Sequence, residues 1–365
     1  RGNFAAFHFV LKLIPFHIMT KRLLITGGAG FIGINAARHF LKKGWQVTLF
    51  DNFSRKGTDL NIKHLRREHT SGWRVVRGDI VKNVGLLERE VAKADAVIHL
   101  AAQVAVTTSV EAPHDDLSIN VIGTFNVLEA VRQSKRKPPL IYSSTNKVYG
   151  ALPHYGVKEQ SSRYHFKDKR AQKHGIDEKE SLDFHTPYGC SKGAADQYVI
   201  DYGRIYGLKT VVFRQSCIYG EHQFGVEDQG WVAWFTIAAL HNKNITVYGS
   251  GKQVRDVLYV GDLVELYEKA LANMRKVGGR AYNIGGGPRN TVSLIECLEY
   301  LGQKIKKPIA YSRGKVRTGD QPIFVADTRR IQKDLGWAPT TSFTKGFSRM
   351  RGWMEDIKPA FKKFI

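Results

Sequence analysis

With 365 residues, 42% of them hydrophobic and 11% aromatic, the chain has room for one large or two smaller domains and a substantial core. A formal net charge of +23 favours anionic ligands such as nucleotides or sugar nucleotides, but the basic residues are scattered and no helix-turn-helix, zinc-finger or RRM pattern accompanies them, so nucleic acid is not an expected partner. Cys190, Cys217 and Cys297 show no metal-ligand spacing and three cysteines cannot all pair, which points to a reducing cytoplasm and to no metal site.

Residues 1–18, RGNFAAFHFVLKLIPFHI, read as a foreign segment ahead of a start at Met19. His8, Lys12, Pro15 and His17 break its apolar runs, so it does not read as a spanning helix. It also lacks the small-residue cleavage site of a signal peptide, of which a degenerate form is the alternative. No other segment is long and apolar enough to cross a membrane, and no membrane partner is expected.

From Lys21 the pattern is regular. KRLLIT (21–26) is a short apolar run bounded by glycine and reads as a buried strand. GGAGFIG (27–33) follows, then INAARHFLKKG, with helical spacing and a stop at Gly44. In this strand–turn–helix order Gly27 and Gly28 permit a tight turn, Gly30 lets a pyrophosphate approach the backbone, and Gly33 lets helix and strand pack closely. Phe31 and Ile32 begin a helix whose positive dipole end faces the phosphates. QVTLF (46–50) is the next strand. Asp51 closes it at the spacing of an acid that binds the adenosine ribose, which favours NAD over a 2′-phosphorylated cofactor; Arg55 and Lys56 soften that preference. WRVVRGDI ends at Asp79 and Ile80, which flank the adenine in this fold type. ADAVIHLAA (94–102) is a strand running into small residues. DDLSINVIGTFNVLEAVRQ (115–133) predicts one long amphipathic helix, and PPLIYSS (138–144) a further strand. Alternating strands and helices imply a parallel, doubly wound Rossmann-type sheet with ligands at the carboxyl ends of its strands.

PYGCSKGAADQYVIDY (187–202) opens on proline and continues with helical periodicity. Tyr188 and Lys192 lie four residues apart and share a face. An ammonium beside a phenol lowers its pKa, so Tyr188 is expected to take a proton from a substrate hydroxyl while Lys192 holds the nicotinamide ribose. Thr145, at the end of the strand 138–144, is placed to steady the same hydroxyl.

The motifs TGGAGFIG, DN, GDI, HLAA, SST…VYG and YGCSK, in this order, resemble the extended short-chain dehydrogenases/reductases, a family of sugar-nucleotide epimerases and dehydratases; the resemblance runs from Met19 to about Trp353. DNFSRKGTDLN, QVAVTTSV, YSSTNKVYG, DQGWVAWF and GKQVRDVL narrow it to the branch that inverts C2 of CDP-linked 3,6-dideoxyhexoses. The resemblance implies NAD as cofactor, with Asn52, Ser54, Arg55, Leu100, Ala101, Ala102, Gln103, Asn120 and Ser143 added to its site. It also implies a CDP-linked hexose substrate. Arg255, Arg317 and Asp320 would grip the diphosphate and ribose, Val247 and Tyr248 would lie along the base, and Cys217, Gln229 and Trp231 would line the same cleft. Dehydratases of the family carry an acid pair after the threonine. Here those positions are Asn146 and Lys147, which argues for hydride transfer without loss of water. Asn146 is expected to orient the sugar, and Lys147 to polarise its carbonyl or anchor a hydroxyl.

The organisation expected is a cofactor domain over 19–215 plus about 256–284, and a smaller, interleaved α/β substrate domain over 216–255 and 285–365. The polar stretch 154–185 reads as a flap over the sugar. A homodimer or homotetramer through the helices 115–136 and 187–207 is implied. Other readings are a UDP-sugar 4-epimerase, a 2-epimerase of GDP- or ADP-sugars, and a redox-inactive relative that binds RNA or protein.

Overall fold

Side chains of the first strand divide between two cores. In β1 (Arg22–Thr26), Leu23 and Ile25 pack on one face of a sheet and Leu24 on the other, as period-two geometry requires. The computed structural model describes residues 20–362, so the segment 1–18 lies outside the described residues. β2 (Gln46–Asp51), β3 (Trp73–Arg77), β4 (Ala96–His99), β5 (Leu140–Thr145), β6 (Thr210–Gln215) and β7 (Arg280–Ile284) complete a seven-stranded sheet in the order β7-β6-β5-β4-β1-β2-β3. Each neighbouring pair is parallel. Strand order reverses between β1 and β4, and such a switch point opens a crevice at the carboxyl ends.

Helices cover both faces. α1 (Phe31–Lys42) and α2 (Thr58–Glu68) bring Phe40, Ile62 and Leu65 to one core. α3 (Val84–Lys93), α4 (Gly123–Gln133) and α5 (Thr186–Tyr206) bring Leu87, Leu128 and Val199 to the other. Each fully buried aliphatic or aromatic side chain contributes about 1.5–3 kcal/mol, so burial on both faces holds the sheet.

The long helix expected over 115–133 is interrupted. An α segment, Pro113–Leu117, runs into a π turn, Ser118–Ile122, before α4 begins. The wide turn carries Asn120, which is buried and bonds inward to the Gln103 backbone, Asp116 and Ser191. Such insertions recur at functional sites.

Beyond β6 a further core forms around α6 (Trp231–Leu240) and the helices Leu294–Ile305 and Phe343–Asp356, with Phe235, Leu301, Phe347 and Met350 at its centre. Val254–Tyr259 pairs with Cys217–Tyr219, Thr291–Ser293 and Ile323–Phe324; Ile245–Tyr248 pairs with Tyr311–Gly314.

The stretch 154–185 is not a flap over the site. It forms a hairpin, Val157–Glu159 with Tyr164–Phe166, and a helix, Lys169–His174. Phe166, Ala171 and Ile176 pack against Val254, Ile323 and Phe324. Arg163 bonds Glu296 at 2.6 Å and Thr291 at 3.1 Å. Its charged exterior is the solvated side of a buttress, and no residue of 154–185 lines the cavities that meet at Tyr188.

Candidate active site

The crevice at the switch point is made largely of backbone. The Gly27 N–H donates to the Phe50 carbonyl at 2.8 Å, and Gly27 has φ +68°, where glycine is favoured. A Cβ on Gly33 would stand 2.4 Å from the Gly27 oxygen, so helix and strand touch there. α1 starts at Gly30 with no side-chain cap and no acid in its first turn. The helix Leu294–Ile305 differs, since its first amides are satisfied by the Ser293–Glu296 capping box. The uncapped start of α1, beside glycines that leave no bulk, fits the pyrophosphate of a dinucleotide.

Gly30, Phe31, Ile32 and Gly33 line the groove with Asp51, Asn52, Ser54 and Arg55, and Asp79 and Ile80 line it farther on. Leu100, Ala101, Ala102 and Ser143 form the wall opposite, ending at Tyr188 and Lys192. Burial pushes the Asp51 carboxyl up, against the pull of its bonds from the Phe53 and Ala29 amides at 2.8 and 3.0 Å. Arg55 is engaged with the far side of the groove: its Nη2 donates to Gln229 Oε1 at 2.8 Å.

Gln103 and Asn120 depart from the expected lining. The Gln103 amide folds back on Ala105, and its backbone N–H donates to Asn120 Oδ1 at 2.9 Å. Both side chains brace the wall from behind. Ile119 and Val104 reach the groove instead.

At the end of the groove α5 presents Tyr188 and Lys192, both buried. The Tyr188 N–H donates to Ser109 Oγ at 3.1 Å. Lys192 Nζ donates to the Ser143 carbonyl at 2.6 Å and stands 4.3 Å from the Tyr142 ring centroid. Burial pushes Tyr188 up to about 12, opposed by a hydrogen bond from Thr145 and by the Arg55 charge. Burial pushes Lys192 down to about 7, opposed by Asp196 and Asp116. The expected lowering by Lys192 is not found: Tyr188 stands above the ordinary phenol value, and Thr145 and Arg55, not Lys192, oppose the rise.

Two buried carboxylates support this corner unseen in the sequence. Asp116 accepts from Ser191 Oγ and from Asn120 Nδ2, the latter at 3.1 Å. Asp196 accepts from Arg214 Nε at 3.0 Å and from Ser144 Oγ at 2.7 Å. The one available signal was spacing: Asp196 follows Lys192 by one helical turn, and Asp116 precedes Asn120 by one.

The second cleft opens from Thr145 toward Arg317. Asn146 Nδ2 donates to Gln321 Oε1 at 2.8 Å, and Lys147 Nζ to the Gly319 carbonyl at 3.0 Å. Burial, then the neighbouring Arg255, push Lys147 down to about 8, opposed by Asp320. Arg255 bonds Asp320 at 2.6 Å. Arg317 bonds Asp228 at 3.0 Å and lies 3.8 Å over the Tyr248 ring. Trp231 Nε1 points to Cys217 Sγ at 3.4 Å. Val247 does not belong to the cleft. Burial alternates along Ile245–Tyr248, so Ile245 and Val247 enter the core while Thr246 and Tyr248 line the cleft. Gln253 was also missed. It lines the cleft, and its Nε2 donates to the Tyr248 carbonyl at 2.8 Å and to Asp320 at 3.2 Å.

Among the described residues no cluster of three or more His, Cys, Asp and Glu side chains is placed to hold a metal ion. No described helix is long and apolar enough to cross a membrane.

A sequence profile described as "NAD dependent epimerase/dehydratase family" matches residues 23–285. A CDP-paratose 2-epimerase of Salmonella typhi is 47% identical over 343 residues, which cover 92% of this chain and 100% of that protein. Two solved structures overlay closely. The UDP-glucose 4-epimerase of Thermus thermophilus in complex with NAD is 29% identical at a TM-score of 0.75, over 92% of this chain and 99% of that one. The UDP-glucuronic acid 4-epimerase of Bacillus cereus, in complex with UDP-glucuronic acid and NAD, is 25% identical at 0.78, with the same coverage.

Proposed function

Since the chain belongs to the NAD dependent epimerase/dehydratase family, we propose that it inverts C2 of a CDP-linked hexose, in the manner of CDP-paratose to CDP-tyvelose, by oxidising that carbon and reducing it from the other face. The nature and engagement of the polar side chains around Thr145 support this reading most. Positions 146 and 147 offer an amide bonded to Gln321 and an ammonium bonded to Gly319. The carboxylates of the cleft are engaged as well: Asp320 with Arg255, Asp228 with Arg317, and Glu227 with the Tyr248 hydroxyl. Among the described residues no free acid–base pair flanks Thr145 to expel water, so a redox-neutral inversion suits these residues.

NAD, when bound, supplies the acceptor and then the donor of the hydride. The amides at the start of α1 would hold its pyrophosphate, Asp51 its adenosine ribose, and Lys192 its nicotinamide ribose. In its phenolate form, which Thr145 and the Arg55 charge favour, Tyr188 would take the proton of the sugar hydroxyl as the ketone forms and return it on reduction. Thr145 orients the phenol and the hydroxyl. Arg255 and Arg317 hold the diphosphate through charged hydrogen bonds, and Tyr248 offers its ring to the base.

The test is incubation with CDP-, UDP-, GDP- and ADP-hexoses in normal and deuterated water, followed by NMR at each ring carbon. Inversion at C2 of the CDP sugar without solvent deuterium is the expected result. Deuterium at C2 would overturn hydride transfer in favour of deprotonation.

We further propose self-association as a dimer or tetramer. Leu117, Ile122, Phe125, Tyr198 and Ile205 are large apolar side chains left exposed on the segment before the π turn, the turn itself, α4 and α5, with the Phe125 and Tyr198 ring centroids 6.1 Å apart. Three cysteines without partners suit a reducing cytoplasm.

A further inference from the structure

Val104, Tyr188 and Gln229 line the cofactor groove, the substrate cleft and the smaller cavity between them. The junction of the three is therefore bounded by an aliphatic chain, a phenol and an amide. Tyr188 moves the proton; the amide has no task in that scheme.

Gln229 is held from both sides. Its Oε1 accepts from Arg55 Nη2 at 2.8 Å, and Arg55 belongs to the cofactor side, just past Asp51. Val226 and Gln229 exchange backbone hydrogen bonds of 3.0 Å in a tight turn, and Gly230 follows at φ +81°. The two side chains before it are anchored too, Glu227 to the Tyr248 hydroxyl at 3.0 Å and Asp228 to Arg317 at 3.0 Å. Three consecutive residues thus tie one turn to the cofactor loop and to the nucleotide end of the cleft. With Oε1 engaged, Gln229 keeps two N–H donors, for which the described residues supply no acceptor.

Resting on the C2 redox reading, we propose that Gln229, set in place by Arg55, is a positioning residue that retains the oxidised sugar until it is reduced. On oxidation the sugar carbon gives a hydride to the oxidised cofactor and its hydroxyl gives a proton to Tyr188. The hydroxyl, both donor and acceptor, becomes a carbonyl, an acceptor only. No covalent bond holds this ketone, and it must present its second face before the hydride returns. An amide N–H at the junction suits a carbonyl oxygen on either face. Escape of the ketone leaves a reduced cofactor and a protonated Tyr188, a dead end for an enzyme with no net redox reaction.

The experiment compares the wild type with Gln229→Met, close in length but without donors, and with Arg55→Lys, which keeps the charge and loses the fork. Each is mixed with the CDP-hexose, and the absorbance of reduced nicotinamide on the protein is followed together with keto nucleotide sugar in the filtrate. Melting temperature and CDP affinity verify that the variants fold. Gln229→Met is expected to hold at least about tenfold more reduced cofactor than the wild type, with turnover that decays as it accumulates, and Arg55→Lys to fall between. Slower turnover without reduced cofactor or free ketone in both variants would overturn the proposal. If the wild type acts on another nucleotide sugar or another carbon, the C2 reading fails, and the same assay on that sugar still judges the pair.

Discussion

The cofactor groove and the substrate cleft meet at Tyr188 but are built from different material. The groove is a product of backbone: glycines at contact distance, an uncapped helix start and a wall of small residues. The cleft is a product of side chains, and its cations are already paired, Arg255 with Asp320 and Arg317 with Asp228. A backbone site has no slack and accepts one shape of ligand. A side-chain site is retuned by single substitutions, and a diphosphate that enters it has to compete with carboxylates. This contrast is consistent with relatives named as epimerases and dehydratases of different sugar nucleotides.

Breaking the junction should have the largest effect. Tyr188→Phe is expected to lower kcat by about 10²–10⁴-fold, the usual worth of a general acid–base, with bound NAD unchanged in denaturing release assays. Turnover within a few-fold of wild type would remove Tyr188 from the proton's path. Next comes the groove. Gly33→Ala forces a Cβ to 2.4 Å from the Gly27 oxygen and 2.7 Å from the Gly28 Cα, both backbone. The expected cost is about 1–3 kcal/mol of stability together with loss of NAD retention, read by thermal unfolding and cofactor content. A variant that keeps both would show that the groove does have slack.

Predictions on the cleft side are smaller. Lys147 has its pKa pushed down to about 8, with Arg255, Asp320 and Cys217 as its charged or titratable neighbours. A lysine loses its charge as pH rises through its pKa, so KM for the nucleotide sugar should climb by about tenfold from pH 7 to above 9. Lys147→Arg should flatten that climb; an identical profile in both proteins would assign it to another group. The smallest effect belongs to Asp228→Asn, which frees Arg317 from a half-exposed pair. CDP should bind up to about threefold tighter by calorimetry, in keeping with the modest worth of exposed pairs. Weaker binding would mean that Asp228 orients Arg317 more than it competes for it.

What could be read ahead follows the same division. The glycine turn, Asp51 and the Tyr188–Lys192 spacing are local in sequence, because a turn and a helix face bring near neighbours together. Features that depend on distant partners were not legible. Asp116 owes its place to Ser191, 75 residues away. The segment 154–185 looked like a polar flap because Val254 and Phe324, which bury its few apolar residues, lie far along the chain. Val247 was misplaced by a finer cause: likeness of a segment does not fix which alternate residues of a strand face the core. The π turn at Ser118–Ile122 had no propensity signal; the inward bonds of Asn120 that accompany it reach residues Gln103 and Ser191, far along the chain from the turn.

β7 carries a consequence for how the molecule is made. Residues 280–284 form the sheet's edge and cover β6 from the outside, in a register that pairs Tyr282 with Phe213 and Ile284 with Gln215. During synthesis β6 waits with an open flank while more than sixty further residues emerge, including the turn that carries Gln229. A chain interrupted anywhere in that interval presents one unpaired edge of the strand Thr210–Gln215, which is buried throughout in the finished protein. Stalled or truncated products should therefore stick to one another or be cleared, and the sheet beneath the cofactor is completed only after the parts of the cleft contributed by residues up to 255 have left the ribosome.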